Sequence, residues 1–340
     1  MLLSISELTF LVGSTFIVIC GVALNSLIIL VPLKTKITGE YKWFTSALAC
    51  FDWLLCCAYL VNVQIANFLL HQDGNSTVSS ENQDVSSRLC QFLGTMCGVL
   101  GAASFTVLPL LSFNRYICLY HQENHDAIFK RRNIIAMLVG AFALALLLGV
   151  NFVSFGQPGL LAHVKICFVY TKVSPVLAAI SLSYLLILHT ANAYFNYKLH
   201  QYLKRHDGNV GRTLQQQAFL TSNRELFRTA FYQMLLPLFC QLPAFVAFRL
   251  AATGSIPEHA ADWLLKITLL IVTLNPVCNP VICLLIVKPY RRCLLAWWEN
   301  CRCLSRCCSF SFLAASTTTT AVHAIPLPRE HEHDQQQRNG

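Results

Sequence analysis

The sequence predicts an all-α fold: a seven-transmembrane helix bundle followed by a short amphipathic eighth helix. Three observations predict it. Of the 340 residues, 55% are hydrophobic and only 12% are charged, and the mean hydropathy is +0.52, a balance that water-soluble domains do not show. Seven stretches are each long and apolar enough to cross a hydrocarbon core about 30 Å thick at about 1.5 Å per residue. The basic residues, finally, gather on one side of the topology those stretches define.

The stretches lie at 9–31, 44–69, 90–119, 133–155, 173–198, 228–250 and 263–287. Each is expected to be helical, because backbone amides inside hydrocarbon find no water and must be satisfied within the segment. The first is too long for a signal-peptide core and no convincing cleavage site follows it, so it is expected to remain as a span. The connecting loops are too short to hold a separate soluble domain, and no internal repeat of the transporter kind is visible.

An odd number of crossings puts the termini on opposite faces. Arg88, Lys165, Lys172, Arg249 and Lys266 fall on one side, and the other 20 of the 25 Lys and Arg, including Lys34, Lys36, Lys42, Lys130, Arg131 and Arg132, fall on the other. That richer side is expected to be cytoplasmic, with the N-terminus extracellular. The sequon Asn75-Ser76-Thr77 then lands in an extracellular loop, where glycosylation is expected. The formal net charge of +9 is an orientation signal and an attraction to anionic inner-leaflet lipid, not a sign of nucleic-acid binding.

Polar residues inside the spans carry the functional information. A carboxylate in a membrane helix costs at least about 2.5 kcal/mol on insertion scales, so Asp52 in "LACFDWLL" is either satisfied by neighbouring helices or serves as an ion or proton site. Asn275 and Asn279 in the seventh span stand at i and i+4, on one helix face.

Asn25 in "GVALNSLIIL", Asp52 in "LACFDWLL", Arg115 in "FNRYICLY" and Asn279-Pro280 in "NPVIC" together resemble the rhodopsin-like class of G protein-coupled receptors. Each lies in the span where that class has it, and the resemblance runs from about residue 15 to residue 300. It implies a receptor domain over 1–300, including an amphipathic helix at 288–300, and a largely disordered cytoplasmic tail at 301–340. It also implies a plasma-membrane protein that passes an extracellular ligand signal to a heterotrimeric G protein. With Ser104, eleven residues before Arg115, the residues Asp52, Asn275 and Asn279 match the sodium pocket of such receptors, so an allosteric Na⁺ is expected and no other cofactor. Carboxylate, hydroxyl and amide oxygens suit a hard cation.

The same resemblance pairs Cys90 with Cys167 in a disulfide, the alternative being two unpaired extracellular thiols. It places Asn114, Arg115 and Tyr116 at the G-protein switch with Tyr194, Glu225 and Pro280. Residue 114 is an amide where the family has an acid, so Arg115 either pairs with Glu225 or is held less tightly, unless it is merely a snorkelling side chain at a helix end. Cys283 stands where the family's tyrosine follows Asn-Pro, and Tyr194 is the candidate to reach inward instead. "NRY" followed by "HDAIFKRRN" looks like melatonin receptors and the Moody-type insect orphan receptors.

For the ligand pocket the comparison excludes more than it names. Amine receptors carry an aspartate eighteen residues before the arginine, and that position is Cys97; opsins carry a retinal lysine at the position of Thr273. "CQLP" puts Gln241 where the family has tryptophan, with Pro243 set to kink the helix. Gly101, Ala244, Phe245, Phe248 and Leu269 complete a small or apolar lining, with Arg249 and Lys266 at the mouth. A lipophilic acid or small peptide would suit that pocket, although both cations are equally explained by snorkelling to headgroup level.

Past the seventh span, Cys301, Cys303, Cys307 and Cys308 follow the amphipathic run. Their spacing is not that of a paired-CxxC zinc module, and palmitoylation is the favoured reading. Lys198, Lys204, Arg205, Arg212, Arg224 and Arg228 suit an acidic G-protein surface or simply obey the positive-inside rule. The run from Ser316 to Thr320 suits phosphorylation and arrestin recruitment, or is an unmodified tail. The rival function is an ion channel or secondary transporter using the Asp/Asn cluster. An enzyme is not expected, since the spans hold no nucleophile with its base and His189 is alone at membrane depth.

Overall fold

The computed structural model describes residues 5–34, 40–73, 80–161, 166–173, 175–207, 214–252, 255–297 and 299, some of them by backbone alone. In chain order these form α1 (Ile5–Lys34), α2 (Tyr41–Asp73), α3 (Ser80–Tyr120), α4 (Gln122–Ile128), α5 (Arg131–Phe155), β1 (Gly156–Leu161), β2 (Ile166–Val173), α6 (Pro175–Asp207), α7 (Leu214–Ala252) and α8 (Glu258–Ile286). Residues 5–294 lie in one compact unit, which extends over Met1–Leu294; helical structure resumes at 288 and reaches the end of this unit. The second unit, Leu295–Gly340, is described only at 295–297 and 299, which are helical. The sequon at Asn75 and the cysteines 301, 303, 307 and 308 lie outside the described residues, as does the run at 316–320.

The seven apolar stretches map one to one onto the seven long helices α1, α2, α3, α5, α6, α7 and α8, with their bounds shifted: residue 173 ends β2, 287 follows α8, and α3, α6 and α7 run well past their stretches. Among the described residues, Leu8–Leu33, Tyr41–Ile65, Arg88–Tyr120, Arg131–Asn151 and His259–Ile286 are long and apolar enough to cross a bilayer. The other two helices each combine an apolar half with a polar one: α6 ends in "NYKLHQYLKRHD" and α7 begins with "LQQQAFLTSNRE". With 41 residues, α3 is about 60 Å long at about 1.5 Å per residue, twice the thickness of the hydrocarbon core. Its ends therefore project beyond the lipid.

α3 is the axle of the bundle, packing against α2, α5, α6, α7 and the hairpin. Its inward residues Phe105, Val107, Leu108 and Leu111 meet Phe44 and Leu48 of α2 and Ile134 of α5 in one buried cluster. On the other side of the helices large apolar residues stay exposed, as at Val12, Phe16 and Ile19 on one stripe of α1. A helix that is hydrophobic all round in this way suits lipid outside and protein inside. Where helices press closest the residue is glycine: a Cβ on Gly21 would stand 2.7 Å from Cys56 Sγ of α2, and one on Gly149 of α5 would collide with Val99 of α3.

Two features are absent from an all-helical reading. Between α5 and α6 an antiparallel hairpin pairs Gly156 with Val173 and Leu160 with Cys167, with an irregularity between Gln157 and Gly159. Pro158 occupies that irregular position and has no amide hydrogen to give a ladder, while "ICFVYTKV" is rich in the branched and aromatic residues that fit a pleated strand. The second feature is α4, one short helix joining α3 to α5. Phe129, just after it, is buried edge-on against Phe44 and near Phe113, which fastens the connection to the bundle.

Candidate functional site

Asp52 is completely buried where α2, α3 and α8 meet. Its Oδ1 accepts a hydrogen bond from Ser104 Oγ at 2.6 Å, and its Oδ2 accepts one from Asn279 Nδ2 at 2.9 Å. These three residues, far apart in sequence, thus form one hydrogen-bonded junction. Nearby in α8, Asn275 and Asn279 are nearly fully buried, and the Oδ1 atom of each has no hydrogen-bond partner. The structure thus joins one carboxylate, one hydroxyl and the Asn279 amide, with the Asn275 amide one helical turn earlier on α8 and not hydrogen-bonded to Asp52; such oxygens suit a small hard cation. Among the described residues there is no cluster of His, Cys, Asp and Glu of the kind that holds a softer metal.

Asn25 ties α1 to the same region. Pro280 has no N–H, so the carbonyl of Pro276 one turn earlier loses its helical partner. Asn25 Nδ2 donates to that carbonyl at 2.8 Å, and also to Gly21 O at 2.9 Å.

At the far end of α3 the side chain of Asn114 points to the α3–α5 connection. Its Nδ2 donates to His125 Nε2 at 3.3 Å; the ring proton is then on Nδ1, which faces Asp126 Oδ1 at 3.3 Å. Arg115, beside it, is 4% exposed, and its Nε and Nη1 have no hydrogen-bond partner. The expected alternative of an ion pair with Glu225 is not formed. Glu225 lies 2.7 Å from Lys288 instead, a partner near the end of α8 that leaves the carboxylate part-exposed rather than desolvated with the guanidinium. Tyr116 packs on Tyr120 and Phe195.

Tyr194 does not reach inward: it is 51% exposed, with Lys198 over its ring. The inward face of α6 is taken by Asn192 and Asn196. Ser112 Oγ donates to Asn192 Oδ1 at 2.6 Å, while Asn196 Nδ2 donates to Asn192 Oδ1 at 2.9 Å and to Ser112 Oγ at 3.1 Å. On α7, Gln233 Nε2 faces the Cys283 thiol at 3.4 Å. These amides are buried, whereas Tyr194 is not.

At the opposite end, Cys90 and Cys167 are joined by a disulfide, with their Cα atoms 5.0 Å apart. Asn62 of α2 grips the same strand: the Cys167 N–H donates to its Oδ1 at 2.8 Å, and its Nδ2 donates to the Cys167 carbonyl at 2.7 Å and reaches Cys97 Sγ at 3.7 Å. A Cβ on Gly101 would meet nothing within 4 Å, so open space adjoins this part of α3. One turn further, the hydroxyls of Thr106 and Tyr184 share a hydrogen bond that links α3 to α6. Leu269 is buried and Gln241 is partly so. Lys266 is buried and its ammonium lies 2.7 Å from Asp262, so this cation is compensated by a carboxylate one turn away rather than presented alone. The side chains of Phe245, Phe248 and Arg249 are not among those described.

Asn62, Ser112, His125, Asn192, Asn196 and Gln233 are site residues that sequence reasoning missed. Five of the six stand inside long apolar helices, where the cost that singled out Asp52 applies to amides and hydroxyls as well. His125 carries no such signal, because it belongs to a connection.

A family model described as 7 transmembrane receptor (rhodopsin family) matches residues 24–282 of the chain. No curated protein matches it closely enough to count as a relative.

Proposed function

The chain belongs to the rhodopsin family of seven-transmembrane receptors, and from that premise we propose how its buried polar residues couple a ligand to a G protein. The protein is a multi-pass plasma-membrane receptor that carries an extracellular ligand signal to a heterotrimeric G protein, and it is not an enzyme. The rival reading as a channel or transporter gains nothing from the bundle.

The observation that carries the mechanism is the junction of Asp52, Ser104 and Asn279 across α2, α3 and α8. In our reading Asp52, Ser104, Asn275 and Asn279 hold a Na⁺ in the resting receptor, which supplies the charge that balances the buried carboxylate. In the hydrogen-bonded arrangement Ser104 and Asn279 donate to Asp52 directly and draw α3 and α8 onto α2. A ligand shifts the balance only by binding one arrangement better than the other. Pro280 and Asn25 make α8 a place where such a change is cheap, because the helix there is already held by a side chain rather than by its own backbone.

The ligand enters, in this reading, at the disulfide end, where Gly101, Cys97 and Leu269 adjoin the strand gripped by Asn62. With Lys266 balanced by Asp262, a lipophilic acid would depend on Arg249 for its counter-charge. A small peptide would not, and it becomes the better of the two candidates. The N-terminus is taken as extracellular and the C-terminus as cytoplasmic, from the basic residues. The amphipathic run at 288–300 then lies along the inner leaflet, palmitoylated at the cysteines beyond it, and the tail recruits arrestin once phosphorylated. The finer kinship, to melatonin receptors and Moody-type orphan receptors, rests on "NRY" and "HDAIFKRRN".

Nucleotide exchange on co-expressed G proteins, together with membrane currents, tests the assignment in wild type and Arg115→Ala. Exchange above background in the wild type that disappears with Arg115→Ala is expected. Currents in the absence of any exchange would contradict it.

A further inference from the structure

Arg115 is almost wholly buried with two of its nitrogens, Nε and Nη1, unpartnered, and a guanidinium stays charged at any physiological pH. A buried charge without a counter-charge is strongly unfavourable. The carboxylates of the neighbouring elements do not reach Arg115: Glu225 pairs with Lys288, Asp52 accepts from Ser104 and Asn279, Asp126 faces His125, and Glu40, next to Tyr41, forms no ion pair with it. Residue 114 is an amide whose donor is turned to His125. No carboxylate among the described residues pairs with Arg115.

What does surround it is neutral and mostly donating. One turn of α3 beyond it is Cys118, and on α8 and after it Cys283 and Tyr290 form a buried cluster against which Tyr41 of α2 packs, so that thiols and phenols line this end of the bundle. Tyr290 is fully buried in that cluster and its hydroxyl is unpartnered. Gln233, bonded to Cys283, offers an unpartnered Oε1. That oxygen is an acceptor, but it brings no charge.

We propose that Arg115, Tyr41 and Tyr290 form a binding site for a small inorganic anion of the chloride class, which supplies the counter-charge that Asn114 does not. The site rests on the reading of Arg115 as the G-protein contact and adds a regulator to it: anion and G protein compete for one guanidinium.

The probe is chloride itself. The purified full-length receptor in detergent is melted in sodium chloride and in sodium gluconate at equal ionic strength, so that Na⁺ is constant and only the anion changes. The expected result is a higher midpoint in chloride, growing with the logarithm of its concentration. The difference disappears in Arg115→Gln, and also in Asn114→Asp and Gln233→Glu, each of which adds an internal carboxylate next to the site. Equal midpoints for the wild type in both salts, or an undiminished chloride shift in Asn114→Asp and Gln233→Glu, overturn the proposal even where Arg115→Gln does not fold. Nucleotide exchange separates the two readings: wild type insensitive to chloride but dependent on Arg115 removes the anion alone, whereas a chloride shift with exchange surviving Arg115→Ala removes the coupling role alone.

Discussion

Asn25 of α1 donates a hydrogen bond at 2.8 Å to the backbone carbonyl of Pro276 in α8, an acceptor that Pro280 deprives of its own helical donor. The two helices are joined where the second cannot complete itself. A proline pair in a membrane helix is tolerable only when a neighbour satisfies the freed backbone, and here the neighbour is one named amide.

Replacing Asn25 by Leu should therefore cost about 1–3 kcal/mol, the penalty for leaving a buried acceptor unsatisfied. The midpoint of thermal unfolding in detergent should fall accordingly, with less receptor at the cell surface. Asn25→Asp, which lacks the amide donor, should fail to rescue it. An unchanged midpoint in Asn25→Leu would mean that another group serves the Pro276 carbonyl.

Asn62 makes two hydrogen bonds to the backbone of Cys167, so strand β2 is held both covalently and by this amide. Asn62→Ala should weaken the disulfide end by about 1–3 kcal/mol, while Cys90→Ser, which opens a loop of 77 residues, should cost about 2–5 kcal/mol. Because both act on one strand, the double variant should lose less than the sum. Melting curves of the two single variants and the double variant decide this, and strict additivity would show that the two contacts are independent.

At the other end of α3, an acid at residue 114 would stand beside an arginine that has no carboxylate partner among the described residues. Asn114→Asp should lower ligand-free nucleotide exchange, and His125 gives the prediction a control. Since Asn114 is turned to His125, a new carboxylate can turn either to that imidazole or to the guanidinium, and Asn114→Asp combined with His125→Phe should lower exchange further than Asn114→Asp alone. Exchange that is unchanged in both variants would count against a loosely restrained Arg115.

How much of this was legible in the sequence varies with the kind of signal. Hydrophobic length gave the seven long helices because burial in lipid imposes the same composition on every span. Asp52 and Asn279 stood out because polarity inside a span is costly, and the structure brings them together across α2 and α8. The hairpin β1–β2 was illegible, since its strands are short and sit in a connection that hydropathy treats as loop. Tyr194 and Glu225 were assigned by position in a pattern, yet position does not fix which face of a helix looks inward. Asn192 and Asn196 of α6 took that face, and Lys288 took the carboxylate. The His125 contact to Asn114 depends on how the α3–α5 connection folds back, which no local pattern encodes.

The central claim, that Asp52 shares a cation with oxygen ligands on α3 and α8 in the resting receptor, is tested most directly by the dependence of ligand-free nucleotide exchange on Na⁺. Membranes carrying wild type, Asp52→Asn and Ser104→Ala are assayed in sodium chloride and in N-methylglucamine chloride at equal ionic strength. Exchange suppressed by Na⁺ in the wild type, with the suppression lost in Asp52→Asn and weakened in Ser104→Ala, is the predicted result. Sodium suppression that persists in Asp52→Asn contradicts it.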